Sequence, residues 1–224
     1  MSGSIDVYVE VAPKRTYASA LDWPGWSRGG RTEEDALSAL VAYADRYAKV
    51  AKRASVAFDP PNGLAGLQVV ERLTGGASTE FGIPSLPAAA DERPLKGPEL
   101  GRQRRLFEAS WKQFDAIAKG AVGVELRKGP RGGGRDLEKI RDHVFQAERS
   151  YLTQLGARFG GSEAVEEWPK LRRAIMEALE ARAAGAPVAE PSGTKKRWSP
   201  RYFLRRAAWH VLDHAWEIED HARP

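Results

Sequence analysis

Four long segments in the second half of the chain repeat their apolar residues every three or four positions. They cover residues 99–119, 136–159, 164–184 and 200–221. This period places the apolar side chains of each segment on one face of a helix, and four such helices can bury those faces against one another. The sequence therefore predicts that residues 99–224 form an all-α four-helix bundle.

The first half of the chain has shorter patterns that are typical of strands. Residues 5–11 (IDVYVEV) alternate in the period of a half-buried strand, and residues 16–26 (TYASALDWPGW) predict a second strand that ends at a Pro-Gly turn. Residues 67–73 and 78–83 predict two further strands on either side of a Gly-Gly turn. With one helix before the third strand, these elements predict a small β-β-α-β unit in which residues 78–83 add a short further strand, so we assign the whole chain to the α+β class.

The helix of this unit is predicted to begin at Thr32. Thr32 precedes Asp35 by three residues, which is similar to a capping box with Asp in place of the usual Glu or Gln. Glu33 and Glu34 also favour the positive end of a helix. Apolar residues then recur at helical spacing as far as Ala51, so we expect one continuous helix that packs on the sheet.

A proline-rich segment separates the two halves. Residues 84–98 contain four prolines, which exclude a long helix or a central strand. We therefore expect an α+β domain at residues 1–86, a linker at 87–98 and the bundle at 99–224. Within the bundle, the glycine-rich loop 128–135 (KGPRGGGR) lacks the strand and spacing of a phosphate-binding loop, so we interpret it as a flexible connection.

Composition narrows the chemistry of any site. The chain has no cysteine, so a metal site must use His, Asp or Glu, and neither disulfides nor a cysteine nucleophile can form. The net charge of +5 is spread along the helices rather than gathered in one block; it is a weak indication of polyanion binding, and a solvated surface is the alternative that we favour over nucleic-acid binding. The N-terminus lacks a basic segment followed by an apolar one, and no apolar stretch has the length of a membrane span. We therefore expect a cytoplasmic protein with no membrane partner.

All four histidines of the chain lie on two of the predicted helices. His210 and His214 are four residues apart and project from the same face of the last helix, with His221 on the same flank. His143 lies in the middle of the second helix. Three imidazoles on facing helices can bind a divalent metal and leave coordination positions open for water or substrate, although a His-x-x-x-His pair also arises by chance on helix surfaces.

Several carboxylates lie near these histidines in the sequence. Glu148 is close to the apolar stripe of its helix, so it is a candidate for a fourth ligand or a general base; an ion-paired structural carboxylate is the alternative. Asp142, Asp213 and Glu217 are candidates for hydrogen bonds to the ring nitrogens, or they are solvated helix charges.

At these residues the C-terminal half resembles the DinB-like superfamily. Its members are four-helix bundles with one histidine on the second helix and a His-x-x-x-His pair on the fourth. His143 matches the first position, and His210 with His214 match the pair within RYFLRRAAWHVLDHAWEIED. The resemblance implies that His143, His210 and His214 bind a divalent metal, zinc or nickel in the first instance.

The same resemblance implies two kinds of activity. Similar proteins include transferases and isomerases that use mycothiol or bacillithiol, and metal-dependent hydrolases. A transferase of this kind would use a low-molecular-weight thiol as cofactor and a small-molecule substrate, because the metal would favour the thiolate and present it to an electrophile.

The N-terminal half resembles the HicB-like antitoxin fold. The likeness rests on ALDWPGWSRGGRTEEDALSAL, which has a strand, a Pro-Gly turn, a second glycine and a Thr-Glu-Glu helix start. An antitoxin of that fold normally continues into a DNA-binding module, whereas here a predicted metal-binding bundle follows. Trp23 and Trp26 flank the turn and could form a ligand or partner surface or pack against the neighbouring domain.

These resemblances leave two function classes open. The first is a metal-dependent transferase or hydrolase. The second is a non-catalytic binding or regulatory protein, in which the metal is structural or absent and the HicB-like module recognises a partner or ligand. A homodimer is compatible with either class.

Overall fold

A mixed four-stranded sheet forms the N-terminal part of the protein. The computed structural model describes residues 4–127, 136–162, 165–188 and 196–222. The strands are β1 (Ile5–Val11), β2 (Thr16–Ala20), β3 (Ser27–Gly30) and β4 (Leu67–Thr74). Their order is β3-β2-β1-β4, with β1 antiparallel to β2 and parallel to β4. The α+β class is therefore observed, and β1 covers the predicted residues.

Two of the predicted strand assignments are wrong. The second strand ends at Ala20 rather than at the Pro-Gly turn, and the chain reverses to form β3, an additional strand of sequence SRGG. Residues 78–83 do not form a strand, because Ala77–Phe81 is a short helix, α3. The Thr79 hydroxyl accepts a hydrogen bond from the Gly76 N–H at the start of α3, and Gly82 ends it with a φ of +111°.

The predicted helix after Thr32 is present but divided. Thr32 and Asp35 form the capping box in both directions, with hydrogen bonds of 3.1 Å each. Helix α1 (Glu33–Ala42) then ends at Tyr43, and α2 (Ala44–Arg53) follows immediately. The ring of Tyr43 contacts Trp216 in the last helix of the chain, so the break coincides with a contact between the two halves.

The second half contains four long helices. They are α4 (Gly97–Gly120), α5 (Leu137–Gln154), α6 (Trp168–Ala183) and α7 (Pro200–His221). Helix α5 ends earlier than predicted because Gly156 adopts a φ of +89°. The predicted start of the third helix at residue 164 and the glycine-rich loop 128–135 lie outside the described residues. No helix in the described ranges combines the length and the apolar character needed to cross a membrane.

One apolar core contains side chains from all four long helices. It includes Phe107, Phe114, Ile140, Val144, Leu171, Ile175, Phe203 and Val211. A second apolar core joins the sheet to α1 and α2 and continues into α4 and α7 through Leu106, Ala109, Leu212 and Trp216. Helix α7 packs in both cores, so the segments before and after the predicted linker at residues 87–98 share extensive contacts. The domain boundary itself stays a prediction.

The two faces of the sheet differ in polarity. Val7, Val9, Ala18 and Ala20 form an apolar face that packs in the second core. The strand register places Tyr8, Glu10, Tyr17, Ser19 and Ser27 together on the opposite face, which we call the polar sheet face. This face is buried against α7, since the guanidinium of Arg205 lies 4.7 Å from the ring centre of Tyr8 and Trp209 makes an edge contact with Tyr17.

Candidate metal centre

Helix α7 holds two of the three candidate histidines in a fixed position. The helix begins at Pro200, and the Ser199 hydroxyl caps it by accepting from the Tyr202 N–H at 3.2 Å. His210 and His214 are one turn apart, and their ring centres are separated by 4.7 Å. His210 is 7 % exposed and the side chain of His214 is 12 % exposed, so both rings lie mostly inside the protein.

Helix α5 brings the third histidine to the same place. Its start is capped by Asp136, whose carboxylate accepts from the Lys139 N–H at 2.9 Å. His143 lies on the second turn, with its ring centre 5.0 Å from that of His210 and 4.9 Å from that of His214. The three predicted ligands therefore meet between α5 and α7.

The distances between nitrogens are close to those of a metal site. The Nε2 atoms of His143 and His210 are 3.2 Å apart, and one nitrogen from each of the three rings lies within 4.8 Å of the others. Tetrahedral coordination with bonds of about 2.0–2.1 Å separates two ligand nitrogens by about 3.3 Å. The separation of the His143–His210 pair is close to this value, and the third ring contributes a nitrogen within 4.8 Å of both. The donor set consists of imidazoles, which suit zinc and nickel.

Glu217 orients one of the three rings. The Nδ1 atom of His214 lies 2.6 Å from Oε2 of Glu217, one turn further along α7. A carboxylate on Nδ1 fixes the proton there, which leaves Nε2 as the nitrogen with a free lone pair. The predicted role of Glu217 as a partner of a ring nitrogen therefore agrees with its position.

Glu148 is not among the converging ligand atoms, so of its two predicted alternatives the structure does not support the metal ligand. Its side chain is 1 % exposed and accepts hydrogen bonds from the indole N–H groups of Trp111 and Trp168. Nε of Arg172 lies 3.8 Å away. Burial raises the pKa of Glu148, and Arg172 and the two indoles oppose that rise. The alternative, an ion-paired structural carboxylate, describes the residue.

Three other polar residues named from the sequence lie outside the centre. Asp213 binds Arg28 of the sheet at 2.9 Å instead of a histidine. Asp142 is exposed on α5. His221 is absent from the group of converging ligand atoms, and its backbone carbonyl accepts from the Arg127 N–H at 3.1 Å. Asp142 and Asp213 are therefore surface and interface charges rather than partners of the rings.

Aromatic side chains and an arginine complete the surroundings of His210. The ring of Tyr151 on α5 is 5.6 Å from that of His210, and the ring of Trp209 is 6.2 Å away. The guanidinium of Arg206 lies over both Tyr151 and Trp209, at 5.2 and 4.6 Å from their ring centres. Sequence reasoning did not single out Arg206 or Trp209, although Arg206 precedes His210 by one helical turn.

The two tryptophans at the Pro-Gly turn differ in burial. Trp26 is fully buried, and its indole N–H donates to the Leu40 carbonyl at 2.9 Å. Trp23 is partly buried and makes an edge contact with Phe58. The turn itself rests on α7, because a Cβ on Gly25 would lie 2.7 Å from Leu212 Cδ1. Trp26 is therefore part of the interior and not of a ligand surface.

The fold and the site together define an α+β protein in which two helices bring three histidines to one point. No protein-family model, curated protein or solved structure matches this chain. The DinB-like and HicB-like resemblances therefore stay predictions.

Proposed function

We propose that this protein binds one divalent transition metal, zinc or nickel, through His143, His210 and His214. The observation that carries the proposal is the convergence of three imidazole nitrogens within 4.8 Å, from two different helices. Two histidines one turn apart share a helix face by geometry alone. The third is brought to them by the packing of α5 on α7, which is the feature that chance spacing does not explain.

We further propose that the metal serves a transferase or hydrolase reaction. Three protein ligands leave a position open in a tetrahedral site, as in catalytic rather than structural zinc sites. An ion held there would act as a Lewis acid and lower the pKa of a thiol or water in the open position. A low-molecular-weight thiol and a small electrophilic substrate are the reactants that the DinB-like resemblance implies.

The chain's own residues would prepare the centre for such a ligand. Glu217 holds the His214 proton on Nδ1 and so keeps Nε2 available. The rings of Tyr151 and Trp209 lie beside that of His210 and would restrict water around it. A partly dry surrounding strengthens the electrostatic effect of a bound cation on its neighbours.

Metal titration of matched histidine variants tests the proposal. The His210→Ala, His214→Ala double variant should lose stoichiometric zinc binding in a competition assay with a chromogenic chelator. The His221→Ala variant removes a histidine of the same helix that lies outside the cluster, so it should bind zinc as the parent protein does. Equal zinc affinity in the parent and the double variant would remove the proposed site.

The second candidate is a binding or regulatory protein with a structural metal. The specific observation in its favour is the position of the histidines on α7, the helix that also packs against the sheet. A metal there would link α5 to the rest of the fold. Reaction of cobalt-loaded protein with small thiols separates the two, because an open centre changes its absorption spectrum on thiol addition and a closed one does not.

A further inference from the structure

A small cavity lies between the polar sheet face and α7. Its volume is about 10 Å³, which corresponds to a single water-sized occupant. The residues that line it include Tyr8, Ser19 and Ser27 from the sheet and Arg205, Arg206 and Trp209 from α7. It is separate from the three-histidine cluster, none of whose members lines it.

Three buried donor atoms of the residues that line this cavity have no hydrogen-bond partner among the described residues, and the first is Nε of Arg205. The other two are Arg206 Nη1 and Trp209 Nε1. Arg206 is 8 % exposed and Trp209 is 4 % exposed. Both groups are donors only, and a buried donor without an acceptor is costly. An occupant of the cavity that accepts hydrogen bonds would satisfy these donors.

The charge of Arg206 is also uncompensated by a carboxylate. Of the two buried acids nearby, Asp91 uses both of its oxygens to bind Arg205. Glu10 accepts from the backbone N–H groups of Ser85 and Leu86, at 3.0 and 2.8 Å, and from the hydroxyl of Thr79. No ion pair joins Arg206 to an acid within the described ranges, and a buried charge normally has a counter-charge.

We propose that this cavity is a binding site for a small monovalent anion, a halide such as chloride. Arg206 Nη1 and Trp209 Nε1 would donate to the ion, which would also neutralise the guanidinium. Water in the same place could accept from both donors but would leave the charge of Arg206 unbalanced. The cavity admits a single-atom ion and excludes sulfate or phosphate by size. This site does not depend on the proposed metal function.

Bromide provides the direct test in the parent protein. Crystals grown or soaked in sodium bromide should show an anomalous scattering peak in the cavity, at hydrogen-bond distance from Arg206 and Trp209. A fully occupied water with no anomalous signal would overturn the proposal.

Thermal unfolding tests the anion site in solution by comparing the parent protein with variants of Arg206 and Trp209. At pH 8 and constant ionic strength, replacing gluconate by chloride should raise the Tm of the parent protein by roughly 2–4 °C. Arg206→Met keeps the apolar stem of the side chain and should abolish the rise, and Trp209→Phe should reduce it. An unchanged rise in Arg206→Met, or no rise in the parent, would contradict the anion site.

Two controls separate the site from other effects of salt. Arg201→Met removes another arginine of α7, one that already binds Glu99, and should keep the chloride response. His143→Ala should keep the chloride response as well. A response caused by halide binding to a metal at the histidine cluster would instead be lost in this variant, so the variant separates the two sites. If Arg206→Met does not fold, the bromide map decides the question by itself.

Discussion

At the scale of single residues, the His214–Glu217 contact is the most testable part of the site. Carboxylates that bind the second nitrogen of a metal-bound imidazole fix its tautomer and orientation. We expect Glu217→Ala to weaken zinc affinity about 10- to 100-fold while the three ligands stay in place. Competition with a chelator of known affinity measures the change.

Asp142→Ala is the matched control for this prediction. Asp142 is a carboxylate on the helix that carries His143, but it is exposed and one residue away on a different face. Its removal should leave zinc affinity within about twofold, because a solvated charge at the surface interacts weakly with a buried site. Similar losses in the two variants would mean that Glu217 acts only through net charge.

The residues of the site were predictable to different degrees. His210 and His214 were predicted to converge because spacing along one helix reports a shared face, and Glu217 lies on the same helix as its partner. His143 lies on another helix, and it was joined to them through the DinB-like resemblance.

The alternatives for Glu148 could not be resolved from the sequence because its partners Trp111 and Trp168 come from two other helices. A sequence places a polar residue beside an apolar stripe, but it does not show which side chains from other elements meet it.

At the scale of elements, α7 determines how the two halves fit together. The Pro-Gly turn lies against this helix, and Gly25 has a φ of +91°. A Cβ there would be 2.7 Å from Leu212 Cδ1 and 3.1 Å from Ala208. We expect Gly25→Ala to lower the free energy of unfolding by about 1–3 kcal/mol more than backbone strain alone, because the packing has no room for a methyl group.

Gly185→Ala isolates the backbone contribution. Gly185 has a similar φ of +82°, but a Cβ there meets no atom of the described residues within 4 Å. Replacing Gly185 by Ala should lower the free energy of unfolding only by the strain of a left-handed backbone conformation, roughly 1–2 kcal/mol. Chemical denaturation of both variants measures the difference, and equal losses would show that the turn does not pack tightly on α7.

Long elements were predicted well and short ones were not. A period that persists for about twenty residues identifies α4 to α7, since many positions agree. Strand β3 has the sequence SRGG and helix α3 has five residues, so neither contains enough side chains to show a period. The break at Tyr43 was missed for another reason, because the apolar spacing continues across it.

At the scale of the whole molecule, the protein buries a polar surface as well as two apolar cores. The alternation in β1 predicted one buried and one exposed face, yet Tyr8 and Glu10 are as buried as Val7 and Val9. The covering elements are α7 and the segment around Asp91, both distant in sequence. This arrangement explains why α7 has so many buried residues and why arginines occur among them.

The central claim is that three imidazoles from α5 and α7 bind one metal ion. X-ray absorption of the zinc-loaded protein tests it most directly, since imidazole rings give a characteristic outer-shell scattering pattern. We predict three histidine nitrogens at about 2.0–2.1 Å in the parent protein and two in the His143→Ala variant. An imidazole count that is unchanged in that variant, or a zinc ion without histidine ligands, would contradict the account.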